Sequence, residues 1–436
     1  MKIVYPICAG LDVHKREIVA TVAKTDSQGI TMYKQRKFPT FTSDLNCLAD
    51  WLHSHQCRHV CMESTGKYFI PVYRVLEHRE LKPCVAHPKF LRAIPGKKTD
   101  SKDSKWIADL FKHGLVPLSF IPPLEIFELR DLTRYRTKLV HARSAEKNRI
   151  QNSLTVSNIM LSSVVSDTFG KTASAILKYV LDNPDQKDID YNSFLKGTAM
   201  RRMKATADNI AKAMDGTFSP EQANKTKIAF KHLDYVNNCL EDLDLAISLL
   251  SKRFAPQIEL LTTTPGVTTF SATRIVAEIG LDMSVFHDAK HLCSWAGLTP
   301  QCNESAGKKK SSRISRAGTW LKPLLIQVAL GAIRNKQHPY FAYKFQTLSK
   351  RRGKKKALRS TEGIIAIARM ILTSAYHILK NNVAFDQNLY QQYYHEQTKR
   401  FHNLTIPKIV QFLNTQGMSV INADGVLLAA QNALCG

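Results

Sequence analysis

Four carboxylates in the first part of the chain have the types and spacing of a phosphoryl-transfer metal site. Asp12 closes an apolar run in Gly10-Leu-Asp-Val-His-Lys15, and Glu63 closes another in Val60-Cys-Met-Glu63. Asp100 and Asp103 stand three apart where a helix should begin, so they share one of its faces. Two charges about 4 Å apart repel by roughly 4 kcal/mol even at an effective dielectric near 20, so four carboxylates converge only around cations. Oxygen-only donors select Mg²⁺, with Mn²⁺ as a substitute, and two such ions can stabilise the attacking and leaving oxygens of a phosphoryl transfer. Each acid alone also has a plainer role: Asp12 as a turn residue, Asp100 and Asp103 as N-terminal residues that favour the helix dipole.

A second candidate lies far along the chain. Ser305 precedes Ala306-Gly307 and then Lys308, Lys309, Lys310, Arg313 and Arg316. A serine hydroxyl is a poor nucleophile at neutral pH unless its proton is taken and cations hold the charge that develops on the attacked phosphate. The sequence reads here as a glycine-containing loop that supplies those cations. The alternative is a loop-capping serine beside lysines that hold phosphate nonspecifically.

Charge points to the same ligand class. The 436 residues carry 62 Lys+Arg against 36 Asp+Glu, a formal net charge of +26, which calls for a polyanionic partner. Residues 301–360 contain sixteen Lys and Arg and one acid, Glu304, and the densest run is Arg351, Arg352, Lys354, Lys355, Lys356 and Arg359. Upstream of that run, Tyr340, Phe341, Tyr343 and Phe345 either pack in a core or stack on unpaired bases. An acidic membrane surface is disfavoured, because the most apolar window, Ile364 to Leu379, is interrupted by Arg369 and His377. Asp12, His14 and Lys15 also stand where the apolar region of a signal peptide would continue, so a cytoplasmic protein is expected. The nine cysteines are scattered without a CxxC pair, which argues against a disulfide framework. His53, His55, Cys57, His59 and Cys61 crowd together like zinc ligands but lack a second pair at a finger interval; ordinary residues at a helix-to-strand junction are the simpler reading.

The elements that must position these residues are legible in outline. Tyr5–Val13, Ile18–Lys24 and Met32–Phe38 predict an antiparallel meander, followed by helix, strand, helix, strand and a helix from near Asp100 to Lys112: a βββαβαβα order. Glu125 to Asn158 predicts a long basic helix with Arg130, Arg134, Arg136, Lys138, Arg143, Lys147 and Arg149. Leu233, Val236, Leu240, Leu243, Ile247 and Leu250 recur at three- and four-residue steps, a heptad seam for either an antiparallel hairpin with that helix or a dimer coil. Residues 159–224 read as short helices with no functional assignment. Thr264-Pro-Gly-Val267 between helices resembles a helix-hairpin-helix turn, whose amides can meet phosphate.

Six stretches in this order resemble the DEDD transposases of the insertion sequence 110 family, the bridge-RNA-guided serine recombinases. They are GLDVHK from Gly10, MESTGKY from Met62, KTDSKDSKWIADL from Lys98, PGVTTFSATRIVAEIG from Pro265, AGLTPQCNESAGK from Ala296 and ISRAGTWLKPLL from Ile314. The resemblance implies an RNase H-like (RuvC-like) α/β domain over 1–118, a helical coiled-coil region over 119–258 and a mostly helical serine transposase domain over 259–436. It also implies that Asp12, Glu63, Asp100 and Asp103 bind metal, and that Ser305 attacks DNA to form a transient phosphoserine link. The implied partners are donor and target double-stranded DNA, a noncoding bridge RNA and other copies of the chain in a homotetramer; the implied location is prokaryotic and nucleoid-associated. Departures are Glu304 where another serine is common, Ala306 for a glycine, and Ser104 for an alanine on what should be an exposed helix face. Two competing readings stand beside this one: a metal-dependent junction nuclease in which water attacks, and a nucleic-acid-binding scaffold without chemistry.

Overall fold

The computed structural model describes residues 2–64, 66–87, 100–183, 186, 188–196, 206–300, 303–305, 308–311, 314–350, 356–386 and 388, with isolated positions at 410, 413, 419 and 421. At 100, 101, 196, 303–305, 308–311, 349, 350 and 356–360 the description is of the backbone. The chain forms two compact units, Met1–Pro122 and Pro123–Gly436.

The first unit runs β1 (Ile7–Val13), β2 (Glu17–Thr25), β3 (Thr31–Pro39), α1 (Thr42–Ser54), β4 (His59–Glu63), α2 (Phe69–His78), β5 (Lys82–Ala86) and α3 (Asp100–Lys112). This is the expected βββαβαβα order. Its sheet has the order β3-β2-β1-β4-β5, and β2 alone runs against the others. Asp26 makes the β2–β3 turn by accepting from the amides of Gln28 and Ile30, while Gly29 takes the positive φ of 84° that side chains avoid. The central strands are buried on both faces, as parallel strands flanked by helices must be. On one face Leu11, Val60 and Met62 pack with Leu48, Leu52, Val72 and Leu76 of α1 and α2. On the other, Cys8, Cys61 and Ala86 pack with Ile107, Ala108 and Phe111 of α3.

The second unit is helical apart from one hairpin among its described residues: α4 (Leu124–Val156), α5 (Lys171–Asp182), α6 (Tyr191–Lys196), α7 (Ala207–Ala213), α8 (Pro220–Ser251), α9 (Ala255–Thr262), α10 (Thr269–Ile279), α11 (Ala289–Trp295), β6 (Asn303–Ser305), β7 (Lys308–Ser311), α12 (Leu321–Arg334), α13 (Tyr340–Lys350) and α14 (Lys356–Asn381). The heptad seam of α8 is spent inside the chain. Leu233, Val236, Leu240, Leu243 and Ile247 are buried. Arg136 pairs with Asp244, Glu146 with His232 and Ser153 with Gln222, so numbers rise along α4 as they fall along α8. Of the two readings the sequence left open, the antiparallel hairpin is the one observed. The described residues of the 159–224 stretch pack at the tip of this hairpin: Ile159, Leu161, Ile176, Leu177 and Ile210 share a core with Ile150, Leu154 and Phe230.

Among the described residues one helix, Thr361–Asn381, is long and apolar enough to cross a membrane, with mean hydropathy 1.3. Ile367, Ala368, Ile371, Leu372, Ala375 and Tyr376 are nevertheless buried within the unit, the pattern of a core helix.

Candidate active site

Each carboxylate of the first unit is placed by a specific element. In the parallel β1–β4 ladder Cys8 faces His59 and Leu11 faces Met62; one further step along that register pairs Asp12 with Glu63, the last residue of β4. Asp12, next to last in β1, and Glu63, last in β4, therefore lie side by side at the carboxyl ends of adjacent strands. Side chains alternate across a strand. Leu11 and Met62 face α1 and α2, so Asp12 and Glu63 fall with Cys8 and Cys61 on the α3 face.

The direction of α3 completes the arrangement. The amides of Val4 and Tyr5 donate to Lys112 O at 2.9 and 3.1 Å, Cys8 Sγ donates to Ala108 O, and Gly10 lies under Ser104 and Ala108. The helix thus runs antiparallel to β1, and its first turn lies toward the Asp12 end. Asp100 precedes Ser104 by one turn, and Asp103 precedes buried Ile107 by one turn. Both acids sit on stripes that face the sheet farther along.

Asp12 is 8% exposed, and its Oδ2 lies 3.2 Å from His14 Nε2. Three oxygen donors from strand ends and a helix start, one of them a buried carboxylate, suit a hard divalent cation better than a soft one. Asp12, Glu63 and Asp103 do not themselves draw within mutual ligand distance. Among the described residues the one such trio is His287, Asp288 and His291, an exposed set at the start of α11. There Asp288 accepts from the amide and ring of His291, and those hydrogen bonds hold its carboxyl down to about 2.

The helix is held to the sheet by polar links that sequence reading misplaced. Ser104 was expected on an exposed face but is fully buried, because it shares the stripe of Ala108 that crosses Gly10. Its Oγ lies 2.7 Å from Thr21 Oγ1, and Gln35 Nε2 donates to both at 2.7 and 3.0 Å. At the far end Tyr33 Oη and Lys112 Nζ donate to Asp109 Oδ1 at 2.5 and 3.1 Å. Burial pulls the Lys112 ammonium down, but Asp109 outweighs it and the net shift is upward; burial and Asp109 push Tyr33 up as well. Gly10 and His14 were the other missed contributors, although both stand in the GLDVHK stretch within two residues of Asp12.

The crowded His and Cys residues make ordinary contacts. His53 Nε2 meets Arg79 O at 2.9 Å, His55 Nδ1 meets Trp51 O at 2.8 Å, and Cys57 Sγ donates to His59 O. Burial pushes the Cys57 and Cys8 thiols up to about 12 and moves Cys61 in the same direction.

Ser305 belongs to the second unit. The expected loop is a two-stranded antiparallel hairpin in which Ser305 pairs with Lys308 at the turn. Serine and lysine backbones are thereby held in fixed register, which a residue-type reading of a polar, glycine-containing stretch could not reveal. Lys309 and Lys310 follow on β7 and Arg316 is exposed. Arg313, Arg351, Arg352, Lys354 and Lys355 lie outside the described residues, and Lys356 opens α14. Of the upstream aromatics, Phe341 is fully buried with its ring tilted against that of Phe385, so it is core.

The Pro265-Gly266-Val267 turn is packed and largely self-satisfied. Gly266 has φ 86°, and a Cβ there would lie 2.6 Å from Ala332 N. Val267 N donates to Thr264 O, while Thr268 and Ser271 cap each other's amides. The amides of Val267, Thr268 and Ser271 are thus engaged within the turn itself. The other end of α10 is gripped by α4: Arg130 donates to Ala277 O and Glu278 O, both at 2.8 Å, and Arg134 grips both Glu278 carboxylate oxygens at 2.8 and 2.7 Å. Burial lowers the Arg130 guanidinium to about 10.

Two family models match the chain, one covering most of its first unit and one within its second. The family model for DEDD transposases of IS110 type, described as "Transposase", matches residues 9–159, and "Transposase IS116/IS110/IS902 family" matches residues 258–346. The chain belongs to the IS110 family of transposases. It is 31% identical over 156 residues to the pilin gene-inverting protein of Moraxella lacunata, covering 35% of this chain and 43% of that protein. With the pilin gene-inverting protein of Moraxella bovis it is 34% identical over 134 residues, 30% of this chain and 39% of the relative. It is 24% identical over 302 residues to the insertion element IS900 uncharacterized 42 kDa protein of Mycobacterium paratuberculosis, 66% of this chain and 73% of that protein. The chain thus spans less than half the length of the two pilin gene-inverting relatives.

Proposed function

We propose that this chain is a DNA transposase acting as a site-specific recombinase of an insertion sequence. The observation that carries the proposal is the sheet register, which puts Asp12 and Glu63 at neighbouring strand ends on the face where α3 begins with Asp100 and Asp103. The order β3-β2-β1-β4-β5 with β2 reversed supports the RNase H-like, RuvC-like reading of residues 1–118. In this reading the four carboxylates hold divalent metal, Mg²⁺ or Mn²⁺, which when bound supplies Lewis-acid stabilisation of phosphate oxygens. His14 orients Asp12, and the Ser104–Thr21–Gln35 network fixes the rotation of α3.

Ser305 supplies the nucleophile. Its Oγ gives up its proton and forms a bond to phosphorus as one P–O ester bond breaks, leaving DNA joined to the protein and a sugar oxygen that takes up a proton to become a hydroxyl. Lys308, Lys309 and Lys310 on the paired strand offset the charge on the attacked phosphate. The sixteen cations of 301–360 hold the DNA backbone. By the family resemblance, the finer parts of the proposal are the three-part division at 118 and 258, a noncoding bridge RNA that selects donor and target DNA, and a homotetramer in which one copy's acids complete another's serine site.

The test is a nicked or mismatched DNA substrate incubated with protein and Mg²⁺, then denatured and resolved by gel. A protein–DNA adduct that disappears in both Ser305→Ala and Asp12→Asn is expected. An adduct that persists in Ser305→Ala refutes the nucleophile. Cleavage that survives Ser305→Ala but not Asp12→Asn moves the chain to the water-dependent nuclease class. A chain whose variants leave every activity unchanged is a binding scaffold.

A further inference from the structure

The β1–β2 turn, just past the carboxyl end of β1, borders an open cavity of about 900 Å³ that the proposed chemistry does not use. It is lined by His14, Lys15 and Arg16 of the β1–β2 turn, by Lys37 and Phe38 of β3, and by Tyr68, which precedes α2. The turn is fixed in place, since His14 N donates to Glu17 O and Thr40 Oγ1 donates to Lys15 O at 2.9 Å. Glu17 also lines the cavity but is engaged by Lys37, whose Nζ lies 3.2 Å from both of its carboxylate oxygens. Lys15 and Arg16 thus give the mouth a positive balance. Tyr68 is 46% exposed, although a ring of its size is ordinarily more deeply buried.

Cations beside an exposed aromatic plane are the combination that holds single-stranded nucleic acid, the cations meeting phosphate and the ring meeting a base. A paired duplex cannot use the ring, because its bases are already stacked inside. The size also fits, since open clefts of about 300–1,000 Å³ accommodate ligands of nucleotide dimensions.

We propose that this cavity holds one unpaired nucleotide of a nucleic-acid strand, its phosphate on Lys15 and Arg16 and its base against Tyr68. The inference rests on the carboxylate edge being where a strand is cut, and it adds to that reading a subsite that keeps the strand open beside the acids. His14, which touches Asp12 and also lines the cavity, connects the two.

The experiment uses the full chain and an oligothymidylate of about 12 nucleotides carrying one 5-iodouracil, a length within the usual single-strand site size. After irradiation and digestion, the cross-linked peptide is identified by mass spectrometry. The expected result is a cross-link in the peptide containing Tyr68 that is retained in Tyr68→Phe and lost in Tyr68→Ala. It should fall at least about five-fold in Lys15→Ala/Arg16→Ala, remain in Lys24→Ala, and be absent when the labelled base is paired in duplex. Cross-links confined to residues 301–360, or equal labelling of the Tyr68 peptide by single strand and duplex, overturn the proposal. Ser305→Ala should leave the cross-link intact, so failure of the serine chemistry and failure of this subsite are read separately.

Discussion

Gly10→Ala tests whether the contact between β1 and α3 sets the carboxylate geometry. A Cβ at position 10 would lie 2.2 Å from Ser104 O and 2.4 Å from Ala108 N, both backbone atoms that cannot swing aside. Non-bonded heavy atoms settle near 3.5 Å, so α3 must retreat from β1 by roughly 1 Å. Overpacking of this kind costs about 1–3 kcal/mol, and contact with backbone on both sides puts Gly10→Ala at the upper end. The displaced segment carries Ser104, one residue past Asp103, so the retreat also strains the 2.7 Å link to Thr21. A misplacement of about 1 Å can cost on the order of 100-fold in catalysis. Two measurements are needed: urea unfolding followed by circular dichroism, and Mn²⁺ binding followed by paramagnetic resonance. The expected outcome is a folded protein, less stable by about 3 kcal/mol, with Mn²⁺ affinity reduced at least ten-fold. Wild-type Mn²⁺ affinity in a folded Gly10→Ala protein would refute the claim that α3 and the strand ends form one site.

Two further outcomes follow from buried groups. Glu278→Gln should destabilise the second unit by about 2 kcal/mol, less than a fully buried ion pair because Arg134 is about a third exposed, and urea unfolding at neutral pH measures it. A change below about 0.5 kcal/mol would show that Arg130 alone secures the end of α10. Alkaline stability should reflect the buried thiols. In the unfolded chain a thiol ionises from about 9.0, whereas Cys57 in the native state keeps its proton to about 12, because burial disfavours the thiolate. Its contribution is complete below pH 9 and is lost as pH rises toward 12, so the urea midpoint should fall across that window. Cys57→Ala should make the fall shallower, and identical slopes would remove the thiol from the account.

The first unit was legible because its signals are local and mutually consistent. Apolar alternation, polar turns and helix-period runs fixed the order βββαβαβα, and strand-end acids needed only the parallel β1–β4 pairing to become neighbours. Side-chain direction on α3 was the weak point. Polar residues around Asp100 suggested an exposed first turn, yet Ser104 is buried because its hydroxyl finds Thr21 and Gln35 across the sheet. No pattern confined to the helix predicts partners 83 and 69 residues away. The serine hairpin failed differently: its strands are three and four residues long, too short for alternation to register against a run of lysines.

Charge shows the same division between what a count reveals and what pairing decides. The long helix α4 was expected as a basic helix and carries many Arg and Lys residues. Much of that charge is committed within the unit: Arg130 to carbonyls of α10, Arg134 to Glu278, Arg136 to Asp244 and Arg149 to Glu146, with Lys147 over the Phe169 ring. Bidentate and buried links such as Arg134–Glu278 hold their geometry too firmly to be exchanged for phosphate at little cost. The basic arm is therefore largely a structural brace whose positive count overstates its field. Residues 301–360, with sixteen cations and a single acid, cannot be neutralised from within their own segment. The excess that a polyanion must meet is concentrated in the segment 301–360, which contains Ser305, so salt dependence of DNA binding should respond to changes there and little to changes along α4.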